Sequence, residues 1–372
     1  MPVARIERHG TNISWSASGS INLDLSNKPF TITELWLIGR PNITTTTTTN
    51  FNDYWDRIIS TLSLSGAGKS YFNFTNLRAA YWLTQMAGFG TPRPTVIADS
   101  QTALIKHFAY CFHFGVQPYK MNRAGCLVRN PFDLSAGIPP VGNGNLILQG
   151  TFGGATAMGT NVTVNSGTFD VYLVGVQQDG AEPAANYMPK AIPIWSMESP
   201  TLSATSGVFT TRYNIPTGDY LHSMLVMLTN GTNAPRDDAV LTSLSVFHQK
   251  ENREIVAFGG QTGVALDLKF AEIFSQIAYG TPLGKFASDN VSTAVTGILS
   301  GGTNAVPVLT EGINSGVIWL PLNEFADVRG GGHPLYGIDL RTLTSGDIQL
   351  RYGIGDATGV TEDVLMRKYQ PL

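Results

Sequence analysis

Charge is what this chain has least of. Asp, Glu, Lys and Arg make up 14% of its 372 residues, where a soluble domain averages about 25%. Cationic excess is missing too. The net charge is −3 and the pI is about 6.1, so no basic footprint exists to release counterions from phosphate, which excludes sequence-specific nucleic-acid binding as a reading. Only two cysteines occur, Cys111 and Cys126. They cannot form a disulfide framework and read either as two small core residues or as one bridge. The opening MPVARIERHG has no apolar h-region, so no signal peptide is expected. The longest apolar runs, such as 172–176 and 225–228, fall far short of the roughly 20 residues that span a bilayer. Glycine is abundant, at 40 residues, and the hydrophobic fraction is 42%, too high for a disordered chain. A chain with a core and so little charge must cover its exterior by other means, and an assembly that buries much of it is one.

Strand signals dominate. Alternating or β-branched and aromatic runs occur at 21–25, 30–38, 58–64, 104–114, 145–152 and 169–176, then at 209–215, 220–228, 240–247, 254–258, 316–322 and 347–354. Most are bounded by Gly, Pro, Asn, Asp or Ser. Short strands at such spacing belong to a sandwich or barrel. Two helices are expected among them. Leu77, Tyr81, Leu83 and Met86 follow Asn76 as an N-cap and stop at Gly88 and Gly90; Leu266, Phe270, Ile273, Phe274 and Ile277 form an apolar stripe ending at Gly280, with Asp267, Lys269 and Glu272 opposite.

These helices sit in equivalent surroundings. Ile59-Ser60-Thr61-Leu62-Ser63-Leu64 parallels Leu241-Thr242-Ser243-Leu244-Ser245-Val246, and the helices end Phe89-Gly90-Thr91-Pro92 and Tyr279-Gly280-Thr281-Pro282. Downstream, Phe132-Asp133-Leu134 and then the strand 145–152 parallel Ile338-Asp339-Leu340 and then 347–354. Three blocks in one order make a repeat far longer than a solenoid unit of about 20–50 residues. The expected organisation is two related sandwiches, residues 1–190 and 191–372, with 179–193 as an Ala- and Pro-rich connector.

Two tandem β-sandwiches with an inserted helix resemble the double jelly-roll major capsid proteins of tailless icosahedral viruses in the phage–adenovirus lineage. The second half carries most of the likeness: Gly316-Val317-Ile318-Trp319-Leu320-Pro321-Leu322, a glycine-rich connection at 329–332, Tyr336-Gly337-Ile338-Asp339-Leu340, and the strand at 349–354. In the first half Phe112-His113-Phe114-Gly115 stands where Pro-Leu would be. The resemblance implies an all-β fold of two eight-stranded jelly rolls, each with a short helix in a connecting loop. It also implies a non-enzymatic structural role: pseudo-hexameric homotrimers tiling a virion shell, assembled in the host cytoplasm. Partners would be copies of itself, neighbouring trimers, vertex proteins and an internal membrane met by the N-terminus. Charge scarcity agrees, since obligate interfaces are large and apolar. Segments 41–50 and 284–310 are the candidate exposed loops. The alternatives are a tandem carbohydrate-binding, lectin-like protein, or a minor capsid or vertex protein.

Signals of chemistry are thin. Gly66-Ala67-Gly68-Lys69-Ser70 imitates the end of a phosphate loop, but the required earlier glycine is Ser63 and a strand-like Tyr71-Phe72-Asn73-Phe74 follows, so a hairpin turn is expected. His107 and His113 fall on one face of a single expected strand, and Cys111 shares it. They lack metal spacing, and no orienting third group for a Cys/His pair is visible. Asp53 with Asp56, Asp237 with Asp238, and Glu251 with Glu254 read as turns or helix starts rather than an acid pair across a groove. The run Thr44–Thr49 reads as an exposed loop. Sequons at Asn12, Asn42, Asn73, Asn161, Asn230 and Asn290 matter only where a glycosylation machinery is met. Arg5, Arg8 and His9 make the N-terminus slightly basic, as a frayed tail or as an arm reaching a neighbour or an anionic membrane. Trp15, Trp36, Trp55, Trp82, Trp195 and Trp319 are too scattered for a sugar-stacking platform. No catalytic, cofactor-binding or metal residues are expected.

Overall fold

The computed structural model describes residues 3–50, 57–77, 80, 102–105, 107–117, 119–140, 144–158, 160–177, 188–200, 211–230, 241–258, 317–320, 322–325, 332–333, 335–354 and 360–372. The first set of strands is β1 (Val3–Ser14), β2 (Ser20–Asp24), β3 (Phe30–Asn50), β4 (Ile59–Gly66), β5 (Lys69–Phe74), β6 (Leu104–Ile105), β7 (Phe108–His113), β8 (Tyr119–Met121), β9 (Leu127–Arg129), β10 (Ile147–Phe152) and β11 (Thr160–Gln177). The second is β12 (Ala191–Glu198), β13 (Thr211–Asn214), β14 (Tyr220–Asn230), β15 (Leu241–His248), β16 (Arg253–Phe258), β17 (Val317–Leu320), β18 (Gly332–His333), β19 (Gly337–Asp339), β20 (Ile348–Ile354) and β21 (Val360–Pro371). One helical turn, α1 (Leu322–Phe325), follows β17.

Each set folds into two facing sheets of the same order. In the first, β1-β11-β3 with β7 on the far side of β3 faces β2-β10-β4-β5. In the second, β12-β21-β14 with β17 on the far side of β14 faces β13-β20-β15-β16. Eight strands so connected, twice over, are two jelly rolls. Alternation builds them. In β4, Ile59, Leu62 and Leu64 are buried while Ser60 and Ser65 are exposed, so one face serves the core and the other does not. Leu35, Leu37, Phe169, Val171 and Leu173 pack across the sandwich from Leu62, Leu64, Phe72 and Leu148. In the second roll Met224, Val226, Val364 and Met366 meet Leu244, Val246, Leu350 and Tyr352.

Pairing register makes the repeat residue-specific. With Leu62 placed on Leu244, their partners carry Phe74 onto Phe258, Asn73 onto Ala257 and Phe72 onto Val256. A one-residue slip then follows Leu64 in one copy and Val246 in the other. Thr168-Phe169-Asp170-Val171 falls on Thr361-Glu362-Asp363-Val364, since Val171 faces Leu37 as Val364 faces Val226. It follows that Ile6, opposite Val174, takes the place of Trp195, opposite Arg367.

The two rolls are joined by a sheet. Strand β12 pairs in parallel with β5, Trp195 with Phe72 and Ser196 with Asn73, so the second roll's β12-β21-β14 sheet runs on into the first roll's β5-β4-β10-β2.

Several expectations are corrected. Residues 3–14 are neither a frayed tail nor a free arm; they form β1, paired with β11. The connector expected at 179–193 is shorter at its end, because Ala191 begins β12. The threonine run and the loop expected at 41–50 are the end of β3, where Thr44 and Thr45 pair with Thr163 and Val162; β-branched residues suit a ladder as well as a loop. The strand expected at 104–114 is two strands, β6 and β7, and His107 lies outside both. No strand was expected at 360–371, which is β21. The loop expected at 284–310 and the helix at 266–277 lie outside the described residues, as does the helix after Asn76 except Leu77 and Ala80, both buried in the first core. The phosphate-loop imitation is a two-residue hairpin: Ala67 and Gly68 have φ of 48° and 73°, the paired left-handed residues of a type I′ turn.

Candidate functional site

The sheet of β1, β11 and β3 and its counterpart of β12, β21 and β14 each turn one face away from their own core, and these two faces meet different fates. On the second roll this outer face carries Trp195, Met197, Leu225, Met227, Leu365, Arg367 and Tyr369, and it is covered by the first roll. Trp195 is 2% exposed and packs on Phe74, Phe112 and Phe114, with ring centroids 6.4, 6.5 and 6.0 Å away. Buried Arg367 donates from Nη2 to the carbonyl of Gly115 at 3.1 Å and to the Tyr369 hydroxyl, and its guanidinium lies 5.2 Å from the Trp195 ring centroid. Asp363 accepts from Asn76 Nδ2 at 3.0 Å and Ser199 Oγ at 2.8 Å. Tyr336 donates to the carbonyl of Ser135 at 2.8 Å, and Lys69 Nζ to Gln370 Oε1 at 2.9 Å. Burial, with Arg367 adding, holds the His222 imidazole well below its ordinary pKa, so it is neutral here.

Among the described residues the matching face of the first roll is open at Ile6 and Arg8 and partly covered elsewhere. Ile6 is 68% exposed where Trp195 is buried. Arg8 is exposed, and Trp36, Ile38, Arg40 and Tyr172 are half-buried. Asp170, the counterpart of Asp363, is gripped by Arg8 Nη2 at 2.8 Å, the backbone N–H of Asn12 at 2.9 Å and Arg40. Burial pushes its carboxyl up, but those hydrogen bonds outweigh burial and leave it below the usual range. Two arginines on one carboxylate leave this strip net positive.

One end of that face holds a buried polar cluster. Glu34 accepts from Trp36 Nε1 at 2.7 Å, His113 Nδ1 at 2.8 Å and Arg129 Nη2 at 2.9 Å. Arg129 also donates to Cys111 Sγ at 3.0 Å and lies 4.6 Å from the Trp36 ring centroid. Asp133 accepts from the Gln117 and Ser135 backbones and from Ser135 Oγ. The register opposes Glu34 to His113 and Trp36 to Cys111, and strand β9 brings Arg129 over them. Cys111 and His113 therefore do share a face, and the orienting third group that the sequence hid is Glu34. The thiol is not activated. Burial pushes it well above its ordinary value, Glu34 adds to the rise, and Arg129 offsets only part of it, whereas a nucleophilic cysteine needs a lowered pKa and access. The expected result of thiol alkylation at neutral pH is one fast site, exposed Cys126, with Cys111 labelled only on unfolding. Mass-spectrometric mapping checks this, and fast labelling of Cys111 in the folded chain contradicts it.

The remaining candidates do not converge. His107 is exposed and His113 buried. Glu251 lies in the turn before β16 and pairs with Arg253, while Glu254 is on the strand. Asp53, Asp56, Asp237 and Asp238 lie outside the described residues. No group of three or more His, Cys, Asp or Glu suited to a metal occurs among the described residues, and no helix there is long and apolar enough to cross a membrane. Trp195 is buried, Trp36 is covered by Arg129, and Trp15 is half-buried, which makes no platform of them. Asn12, Asn42, Asn73, Asn161 and Asn230 all lie on strands.

No family model and no curated protein matches the chain. Solved structures do. The crystal structure of the STIV MCP, from the Sulfolobus turreted icosahedral virus, aligns with a TM-score of 0.66 at 12% identity, over 100% of this chain and 97% of that one. The PBCV-1 virus capsid gives 0.55 at 10%, over 99% and 94%. The major capsid protein P2 from bacteriophage PM2 gives 0.53 at 10%, over 100% and 98%. The likeness is one of fold: this chain is a double jelly roll of the kind seen in those major capsid proteins.

Proposed function

We propose that the chain is a major capsid protein whose work is to assemble, as a homotrimer of two rolls per copy dividing near residue 190. A single observation carries the reading. Within the chain, the outer face of the second roll is seated on the first roll, while the equivalent face of the first roll is left open among the described residues at Ile6 and Arg8. By the repeat, what fits that open face is the second roll of another copy. Such a contact is head-to-tail: first roll of one copy to second roll of the next. Heterologous contacts close into rings or run on as filaments, and closure at three copies gives six rolls in a pseudo-hexagonal block suited to tiling. Full-length likeness in fold to coat proteins of viruses supports the same reading, and the virion is then where the protein resides. Chemistry is not required of it; its mechanism is shape and buried surface.

Native mass spectrometry tests the reading. Trimers of the 40.0 kDa chain are expected at micromolar concentration, and a chain that stays monomeric under all assembly conditions overturns it. Ile6→Asp is expected to weaken trimerisation at least tenfold, because it places a charge at the centre of an apolar contact. Since Ile6 is exposed in the single copy, the same substitution is expected to change that copy's stability by no more than about 0.5 kcal/mol. Denaturant melts beside sedimentation analysis separate the two effects.

A further inference from the structure

We propose that strand β1 of one copy adds, in parallel, to strand β16 of the next copy's second roll, with Ile6 opposite the partner's Val256 and Glu7 opposite the partner's Ala257. The inference rests on the head-to-tail assembly above and specifies how it is bonded. Three observations meet. Inside the chain the roll-to-roll junction is a sheet as well as a packed face, since β12 pairs in parallel with β5 through Trp195–Phe72 and Ser196–Asn73. The register assigns each of those four residues a counterpart: Trp195 to Ile6, Ser196 to Glu7, Phe72 to Val256 and Asn73 to Ala257. Finally, both counterpart strands are sheet edges among the described residues, β1 pairing only with β11 and β16 only with β15.

An edge strand presents a row of unpaired N–H and C=O groups, a template that proteins usually blunt or use. Here β1 and β16, two of the sheet edges among the described residues, correspond to the two halves of a junction the same chain already makes once. Strand addition supplies main-chain hydrogen bonds, and the side chains beside it set the register. Ile6 is the side chain that does so here. It occupies the position of Trp195, which is buried, while Ile6 is 68% exposed.

Cysteine pairs test the register. In a Cys126→Ser background, Ile6→Cys combined with Val256→Cys is expected to give, on mild oxidation of the assembled protein, a reducible ladder ending at three linked chains, because directly opposed strand residues meet the Cα spacing a disulfide needs. Ile6→Cys with Arg253→Cys, displaced along the strand, is expected to give little. Trimers that form without the first link overturn the strand pairing and leave the assembly standing. Equal linking of both pairs overturns the register. Absence of any trimer overturns both proposals. Hydrogen exchange on the unaltered chain guards against a variant that fails to fold: amides of 3–8 and 253–258 are expected to slow at least tenfold on assembly, and unchanged exchange in both segments counts against the pairing.

Discussion

Glu34→Ala is expected to lower the unfolding free energy by about 3–5 kcal/mol, the range seen when one member of a buried charge cluster is removed. Glu34 is 1% exposed and receives three donors, from Trp36, His113 and Arg129. Removing the carboxylate leaves an arginine and an imidazole facing one another, with the next carboxylate oxygen, Asp133 Oδ2, 3.9 Å from His113 Nε2. The damage extends past the site, because Arg129 belongs to the β8–β9 hairpin and its bond to Glu34 helps hold that hairpin on the outer face of the first sheet. Arg129→Met is expected to cost less, since the Arg129 side chain is a third exposed and methionine keeps the stem over Trp36. Urea melts of the three proteins check the order. A loss below about 1 kcal/mol for Glu34→Ala, against that range, means that the cluster is not the anchor described.

The legibility of this fold divides by where each strand lies. Strands with one wet face could be read: 59–66 and 147–152 alternate, and their counterparts gave away the repeat. The long strands that were missed are β1, β12 and β21, and the short β8, β9, β18 and β19 were not expected either. Strand β21 reads Thr-Glu-Asp-Val-Leu-Met-Arg-Lys-Tyr, and charged residues in such density suggest a surface. Yet Glu362, Asp363, Arg367 and Lys368 are all buried, because one face meets the second core and the other meets the first roll. The shared Thr-x-Asp-Val at 168–171 and 361–364, with Gln177 and Gln370 beyond, was the available signal for this strand. Strand β1 hid for the opposite reason: it is an edge, and edges carry charge. The open face could not be read from sequence at all. Ile6 and Trp195 share no chemistry that an alignment would reward, and only strand register makes them equivalents.

Stability is expected to fall by about 3 kcal/mol between about pH 4.5 and pH 7, and Glu362→Gln is expected to abolish that fall. Glu362 stands at the position Phe169 holds in the first roll. There, Phe169 packs on Phe152 with ring centroids 4.9 Å apart, opposite the strand bearing Gly150. In the second roll Gly150 is replaced by Tyr352, so the ring comes from the facing sheet and a carboxyl sits where the phenyl would be. Glu362 is 2% exposed, and its Oε2 has no hydrogen-bond partner among the described residues. Burial raises its pKa to about 7; the hydrogen bond with Tyr352 pulls it down and the neighbouring Asp363 pushes it up again. Burial drives the Tyr352 and Tyr213 phenols up as well, with Glu362 adding to both, so both stay protonated and neutral beside it. The folded state therefore holds a proton that the unfolded chain releases near 4.5. That contribution is complete below 4.5, declines as pH rises, and is gone above 7. Asp133, Asp170, Asp339 and Asp347 act in the opposite sense: their carboxyls are held below the ordinary range, so they favour the fold above about 4 and weaken it in stronger acid. The difference between Glu362→Gln and the unaltered chain removes those common terms. It is expected to grow by about 3 kcal/mol between pH 4.5 and pH 8 in urea melts, and a difference that stays flat across that interval shows that Glu362 carries its charge in the folded roll. On the assembly proposed here, the same melts carry a consequence for the particle: Val364, Leu365 and Arg367, two to five residues along the same strand, tie the second core to the first roll, so ionising Glu362 loosens the strand at the junction on which the pseudo-hexagonal geometry depends.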